Sequence, residues 1–99
     1  MSMTQDQEIK STVIAMLEKI RLILIERSNK NEFDTYIQQC DEDLREIRTN
    51  QNVKLENLNV YGLGLMYVEN RGGDWENDAL LKLMFSTADF IERVNGIKL

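Results

Sequence analysis

The stretch that decides the fold is residues 5–27, QDQEIKSTVIAMLEKIRLILIER, in which apolar residues recur at the spacing of an α-helix. Intervals of three and four residues place side chains on the same side of a helix. The residues of this stripe are Ile9, Val13, Met16, Leu17, Ile20, Ile23 and Leu24. Ile14, Leu22 and Ile25 widen the stripe beyond one narrow face. Because so broad an apolar surface needs more than one neighbour, we expect this helix to be central.

Two further segments have helical periodicity. The segment 32–49 has an apolar stripe formed by Phe33, Tyr36, Ile37, Cys40, Leu44 and Ile47. The segment 75–95 has an inner face formed by Leu80, Leu83, Met84, Ala88, Ile91 and Val94. Asp78–Lys82 and Asp89–Arg93 have the i,i+4 spacing and the favourable order of an ion pair on a helix.

The segment 53–70 fits two interpretations. Its apolar residues match a helix face, but its valines and its two glycines, Gly62 and Gly64, also suit a strand. Each glycine costs a helix about 1 kcal/mol, whereas an isolated hairpin is weak on its own. We favour a helix in which the glycines allow close approach by a neighbour. The sequence therefore predicts a single all-α domain over 1–99, a compact antiparallel bundle of about four helices. The alternative is an α+β fold with a small hairpin at 53–69.

Composition indicates a folded, acidic protein. Hydrophobic residues make up 42% of the chain, charged residues make up 29%, and the net charge is −5. This charge argues against direct binding to nucleic acid or to anionic membranes, both of which attract basic proteins. The longest apolar run, Val13–Leu17, is too short to span a membrane. Because Cys40 is the single cysteine and residues 1–10 lack the pattern of a signal peptide, we expect a cytoplasmic protein.

The chain offers few residues for catalysis. The absence of histidine removes the usual general base, the Ser–His and Cys–His nucleophile pairs and most zinc sites. Cys40 lies on an apolar stripe with no cation placed to lower its pKa, which predicts a buried, inert thiol. Gly62-Leu63-Gly64 lacks the third glycine of a dinucleotide fingerprint and the lysine of a P-loop. We therefore expect no enzymatic activity, no cofactor and no metal site.

The strongest functional signal is the negative charge of the segment 32–49. The segment contains six acidic residues and two basic residues. The acids are Glu32, Asp34, Asp41, Glu42, Asp43 and Glu46, and the bases are Arg45 and Arg48. On a helical wheel both arginines lie on one flank, and the opposite flank carries Glu32, Glu42, Asp43 and Glu46. Like charges at i,i+4 slightly destabilise a helix, whereas a bound partner can supply the missing positive charge. The flank is either a solvated face or a docking surface for a basic partner.

Aromatic residues near this flank are candidate anchors for a partner. Tyr36 is expected at the edge of the apolar stripe beside the acids. Trp75 follows two glycines and stands between Asp74 and Glu76, so an interface position is as consistent with the sequence as a core position. The candidate partner-binding residues are Glu32, Tyr36, Glu42, Asp43, Glu46 and Trp75.

In size, charge and helical pattern the chain resembles small acidic bacterial toxin-immunity proteins of the colicin and contact-dependent growth-inhibition type. The residues that carry the resemblance are Glu32, Asp41, Glu42, Asp43 and Glu46, together with Tyr36, Tyr61, Tyr67 and Trp75. The resemblance implies a non-enzymatic inhibitor, a monomer or weak homodimer, whose acidic surface covers the basic active site of a cognate nuclease toxin. The alternative function is a helical adaptor or structural homodimer that uses the broad apolar face of residues 5–27.

Overall fold

Four α-helices and one short 3₁₀ turn make up the regular structure of the described residues. A computed structural model describes residues 5–28, 30–73 and 77–97. The helices are α1 (Gln5–Arg27), α2 (Asp34–Thr49), α3 (Val60–Arg71) and α4 (Ala79–Ile97), and the 3₁₀ turn spans Leu55–Asn57. No strand occurs within these described ranges, so the predicted all-α bundle is confirmed and the alternative hairpin at 53–69 is wrong.

The apolar stripe of α1 forms the middle of the core. Four of its residues have no exposed surface, and they follow one another at intervals of three and four: Val13, Leu17, Ile20 and Leu24. They pack against both α2 and α4, which confirms the predicted central position of this helix. The outer residues of the broad face are different, because Leu22 is 56% exposed and Ile25 is 42% exposed.

The other helices close the core around α1. In α2 the predicted stripe is buried except for Ile37, which is half-buried. In α4 the fully buried residues include Leu80, Met84 and Ile91, which the periodicity predicts, and Leu81 and Thr87, which it does not. The Thr87 hydroxyl donates a hydrogen bond to the carbonyl oxygen of Leu83, so this buried polar group is satisfied.

The start of α4 differs from the predicted boundary at residue 75. Residues 77 and 78 are not helical, and residues 74–76 lie outside the described ranges. The Asp78 carboxylate accepts a hydrogen bond from the backbone N–H of Leu80 and forms an ion pair with Arg27 at 2.9 Å. The predicted Asp78–Lys82 pair is therefore wrong, because Asp78 lies ahead of the helix and bonds elsewhere. The predicted Asp89–Arg93 pair is present, at 3.3 Å.

The two glycines of α3 have different surroundings. A Cβ atom built on Gly64 lies 3.2 Å from carbon atoms of the Phe85 ring, so α3 and α4 approach each other closely at this point. A Cβ built on Gly62 meets no neighbour within 4 Å. Close packing by a neighbour, which the sequence predicts for both glycines, is confirmed at Gly64 and wrong at Gly62.

Alanine substitutions separate these two roles. Gly62→Ala should raise the free energy of unfolding by about 0.5 kcal/mol, because alanine restricts the unfolded chain and fits open space. Gly64→Ala should leave the protein about 1 kcal/mol or more less stable than Gly62→Ala, because the Phe85 ring must move. Urea unfolding followed by circular dichroism measures both variants. Equal stability of the two would contradict the assigned contact.

Candidate partner-binding surface

Glu42 and Glu46 lie one helical turn apart on the solvent-facing side of α2. Both residues are exposed, on the side of the helix opposite to buried Cys40 and Ile47. Neither carboxylate forms an ion pair within the described part of the chain. Glu46 accepts a hydrogen bond of 2.8 Å from the side-chain amide of Asn50. This donor is neutral, so it does not balance the charge of the carboxylate. We call Glu42 and Glu46 the acidic pair.

The opposite flank of α2 is bound to α1 through oppositely charged side chains. Arg21 donates to the Asp41 carboxylate at 2.6 Å, and Arg48 lies 3.5 Å from the carboxylate of Glu18. Asp41 and Arg48 are therefore engaged within the protein. The negative charge of the acidic pair is not compensated in this way.

Asp43 does not belong to the exposed flank. Only 3% of its surface is exposed, and its two carboxylate oxygens accept hydrogen bonds from the backbone N–H groups of Asn59 and Val60, each at 2.8 Å. These N–H groups lie at the first turn of α3, where no carbonyl oxygen of the helix itself can accept them. Its predicted position among exposed acids is wrong, because the wheel cannot show that α3 begins beside it. Asp43 is a cap for α3 supplied by α2.

Burial is the main influence on the ionisation of Asp43. It raises the pKa of this carboxyl from 3.8 to about 6, and the charge of Glu42 adds to the rise, whereas the N–H groups of Asn59 and Val60 oppose it. The folded protein therefore holds this proton more tightly than the unfolded chain. Between about pH 4 and pH 6 the contribution of Asp43 to the free energy of unfolding falls as the pH rises. In this range the unfolded chain loses the proton readily, whereas the folded protein must ionise a buried carboxyl.

A polar cleft of about 500 Å³ lies beside the acidic pair. It separates the second half of α2 from the segment 50–59, and its lining includes Glu42, Asp43, Glu46, Lys54 and several asparagines. Lys54 is exposed and forms no ion pair with the described residues. The cleft gives the acidic pair a concave edge that is rich in amide hydrogen-bonding groups.

Glu32 lies outside α2 and is compensated by a base from another helix. Its carboxylate forms an ion pair with Arg71 at the end of α3. The guanidinium of Arg71 also lies 4.6 Å from the centre of the Phe33 ring, within reach of a cation–π interaction. The predicted flank without any base is therefore wrong at Glu32, because Arg71 follows it by 39 positions in sequence and meets it only in the fold.

Tyr36 is a core residue. It is 5% exposed and packs in a cluster with Phe33 and Tyr67, whose ring centres lie 6.2 and 5.4 Å from its own. Its hydroxyl group accepts a hydrogen bond from the side-chain amide of Asn70 at 3.3 Å. The ring is therefore not displayed at the surface as an anchor. Trp75, the other predicted anchor, lies outside the described residues.

Cys40 is buried and forms no disulfide, as its place on the stripe predicts. Desolvation raises the pKa of its thiol to about 12, and the charges of Asp43 and Asp41 add to the rise. A thiol in this state is a poor nucleophile at neutral pH. Among the described residues, no three acidic or cysteine side chains form a group that could hold a metal ion.

No protein-family model matches the chain, and neither does any curated protein or solved structure. Within the described ranges, no helix has the length and apolar character needed to cross a membrane. Fold and surface together define a small all-α bundle with an uncompensated acidic pair on one helix.

Removing the cap should show that Asp43 serves the fold. Asp43→Ala should lower the free energy of unfolding at pH 7 by about 1–2 kcal/mol, because two N–H groups at the start of α3 lose their acceptor. Urea denaturation provides the measurement. The matched control is Asp41→Ala on the same helix, which removes a half-exposed ion pair and should cost less than about 1 kcal/mol. Equal losses in the two variants would contradict the capping role.

Proposed function

We propose that the protein is a non-enzymatic inhibitor that binds a basic bacterial toxin through a surface centred on the acidic pair. The observation that carries the proposal is the state of Glu42 and Glu46, which are exposed, adjacent and without a basic partner in the described ranges. Lys54 lines the same cleft but pairs with neither carboxylate, so a basic side chain of a partner can form the ion pair that is missing. The resemblance to toxin-immunity proteins suggests a nuclease as the toxin.

Inhibition would follow from occupation of the toxin's nucleic-acid groove. Such a groove is basic because it binds phosphates, so an acidic surface competes for the same charges. The net charge of −5 supports this by attracting a basic protein over a distance and speeding the encounter. A cytoplasmic site of action forms part of the proposal, since the toxin's nucleic-acid substrate lies in that compartment.

The contacts that hold α2 to its neighbouring helices favour a rigid surface at the acidic pair. α2 is held to α1 by the Arg21–Asp41 contact and to α3 by the Asp43 cap. A surface that is already ordered loses little conformational entropy when it binds, so more of the interaction energy contributes to affinity. The polar cleft beside the pair offers amide groups that can bind a partner's donors and acceptors.

The adaptor that would use the broad face of α1 has less surface to offer than the sequence indicates. The residues of its stripe, among them Val13, Leu17 and Ile20, are buried where α1 packs against α2 and α4, so they cannot contact another protein. Leu22 and Ile25 remain exposed, and Leu22 lies beside the ion pairs that join α1 to α2 rather than beside the acidic pair. The inhibitor is therefore the better-supported function.

Charge reversal tests the proposal. The tagged protein is purified from its own cells together with bound proteins, and the association rate with the captured partner is measured at several salt concentrations. The double variant Glu42→Lys and Glu46→Lys should slow association by about tenfold or more and weaken its dependence on salt. The captured partner should be basic and should lose its toxic activity when bound.

The matched control reverses two exposed acids of α1, Glu8 and Glu26. This control changes the net charge equally, so it should reduce the rate much less if the acidic pair is the contact. An equal loss in both double variants would leave only the overall charge as the cause and would contradict the proposed surface. Recovery of no basic partner at all would contradict the proposed function.

A further inference from the structure

A groove with a mainly apolar lining lies between α3 and α4. Its volume is about 730 Å³. Its walls carry the rings of Tyr61 and Phe85, the side chains of Leu65 and Ala88, and Ser86. Leu65 is 61% exposed, more than Leu22 or Ile25, the other large hydrophobic residues that are exposed in the described ranges. Leu65 continues the apolar lining of the groove, and it is a contiguous apolar patch, rather than a single exposed side chain, that marks a binding surface.

The charges along this groove are opposite at its two ends, with Lys82 at one end and Asp89 and Glu92 at the other. Lys82, Phe85, Ser86 and Asp89 follow one another at i, i+3, i+4 and i+7 and therefore share one face of α4. Lys82 and Asp89 lie equally far on either side of the Phe85–Ser86 midpoint. Lys82 forms no ion pair within the described part of the chain, because Asp78 binds Arg27 instead. The face thus has a free cation at one end, and at the other end it has Asp89, whose exposed ion pair with Arg93 is 3.3 Å long, followed by Glu92.

We propose that this groove is the interface of a two-fold symmetric homodimer in which α4 of one copy lies antiparallel to α4 of the other. A two-fold axis at the Phe85–Ser86 midpoint brings Lys82 of each copy beside Asp89 of the other. An isologous interface requires such self-complementarity, because the same patch must bind itself. Leu65 of each copy then enters the apolar space between the helices and leaves water.

The interface is independent of the acidic pair. Glu42 and Glu46 lie on α2 beside the segment 50–59, and neither lines the groove between α3 and α4. A dimer formed through the groove would leave both copies of the acidic pair free. Two binding surfaces in one particle would let the protein hold two partner molecules, or a dimeric partner with increased avidity.

Sedimentation velocity from about 1 µM to about 1 mM tests the association, since weak interfaces dissociate in this range. The wild-type protein should shift from monomer to dimer across it. Leu65→Glu should weaken the dimer by about tenfold or more, because it places a charge in the apolar interface. The matched control is Leu22→Glu, a substitution at a similarly exposed leucine on α1, which should leave the dimer unchanged.

A charge exchange tests the antiparallel arrangement. Lys82→Glu and Asp89→Lys should each weaken the dimer by about tenfold, because each places like charges together across the axis. The double variant K82E/D89K restores opposite charges and has the wild-type net charge, so it should recover the wild-type dissociation constant to within about threefold. Circular dichroism confirms that each variant is folded.

A wild-type protein that stays monomeric up to the highest concentration would overturn the proposal. So would a dimer that Leu22→Glu disrupts and Leu65→Glu does not, since that result would place the interface on α1. A double variant no better than the single variants would overturn the two-fold pairing. None of these outcomes depends on the toxin partner, so they are separate from the test of the proposed function.

Discussion

The hydrogen bonds from the start of α3 to the Asp43 carboxylate join α3 to α2 and add to the packing of α1 against α4. α1 and α2 pack together on one side, and α3 and α4 pack together on the other. Asp43 joins these pairs because it belongs to α2 and accepts the N–H groups of Asn59 and Val60. The position of α3 determines where Leu65 and the groove lie, and the orientation of α2 determines what the acidic pair faces. The cap thus links the helix that carries the acidic pair to the helix that carries Leu65.

Neighbouring acids on one helix serve different purposes in this protein. Asp41 binds Arg21 of α1, Asp43 caps α3, and Glu42 between them points to solvent without a basic partner. Successive residues of a helix point about 100° apart, so three consecutive acids meet three different environments. The segment has a net charge of −4, but the part of it that we propose as a binding surface is only the acidic pair. Glu32, Asp41 and Asp43 instead form contacts with other helices of the protein.

Periodicity in the sequence was enough to predict the helices and most of the core. The stripe of α1 predicts its central place, the stripe of α2 predicts the burial of Cys40, and Gly64 predicts a close contact that Phe85 supplies. The roles of Asp43 and Glu32 could not be predicted, because each is set by a helix distant in sequence. The groove could not be predicted either, since its walls come from both α3 and α4 and depend on how these helices pack.

The most direct test of this account is a carboxyl-carbon NMR titration of Asp43, with the amide signals of Asn59 and Val60 followed in the same samples. We expect Asp43 to titrate with a pKa of about 6, because it is buried, and both amide signals to shift at the same midpoint, because they donate to its carboxylate. A midpoint near 3.8, with no response from either amide, would contradict the account. Asp43 would then lie at the surface with Glu42 and Glu46.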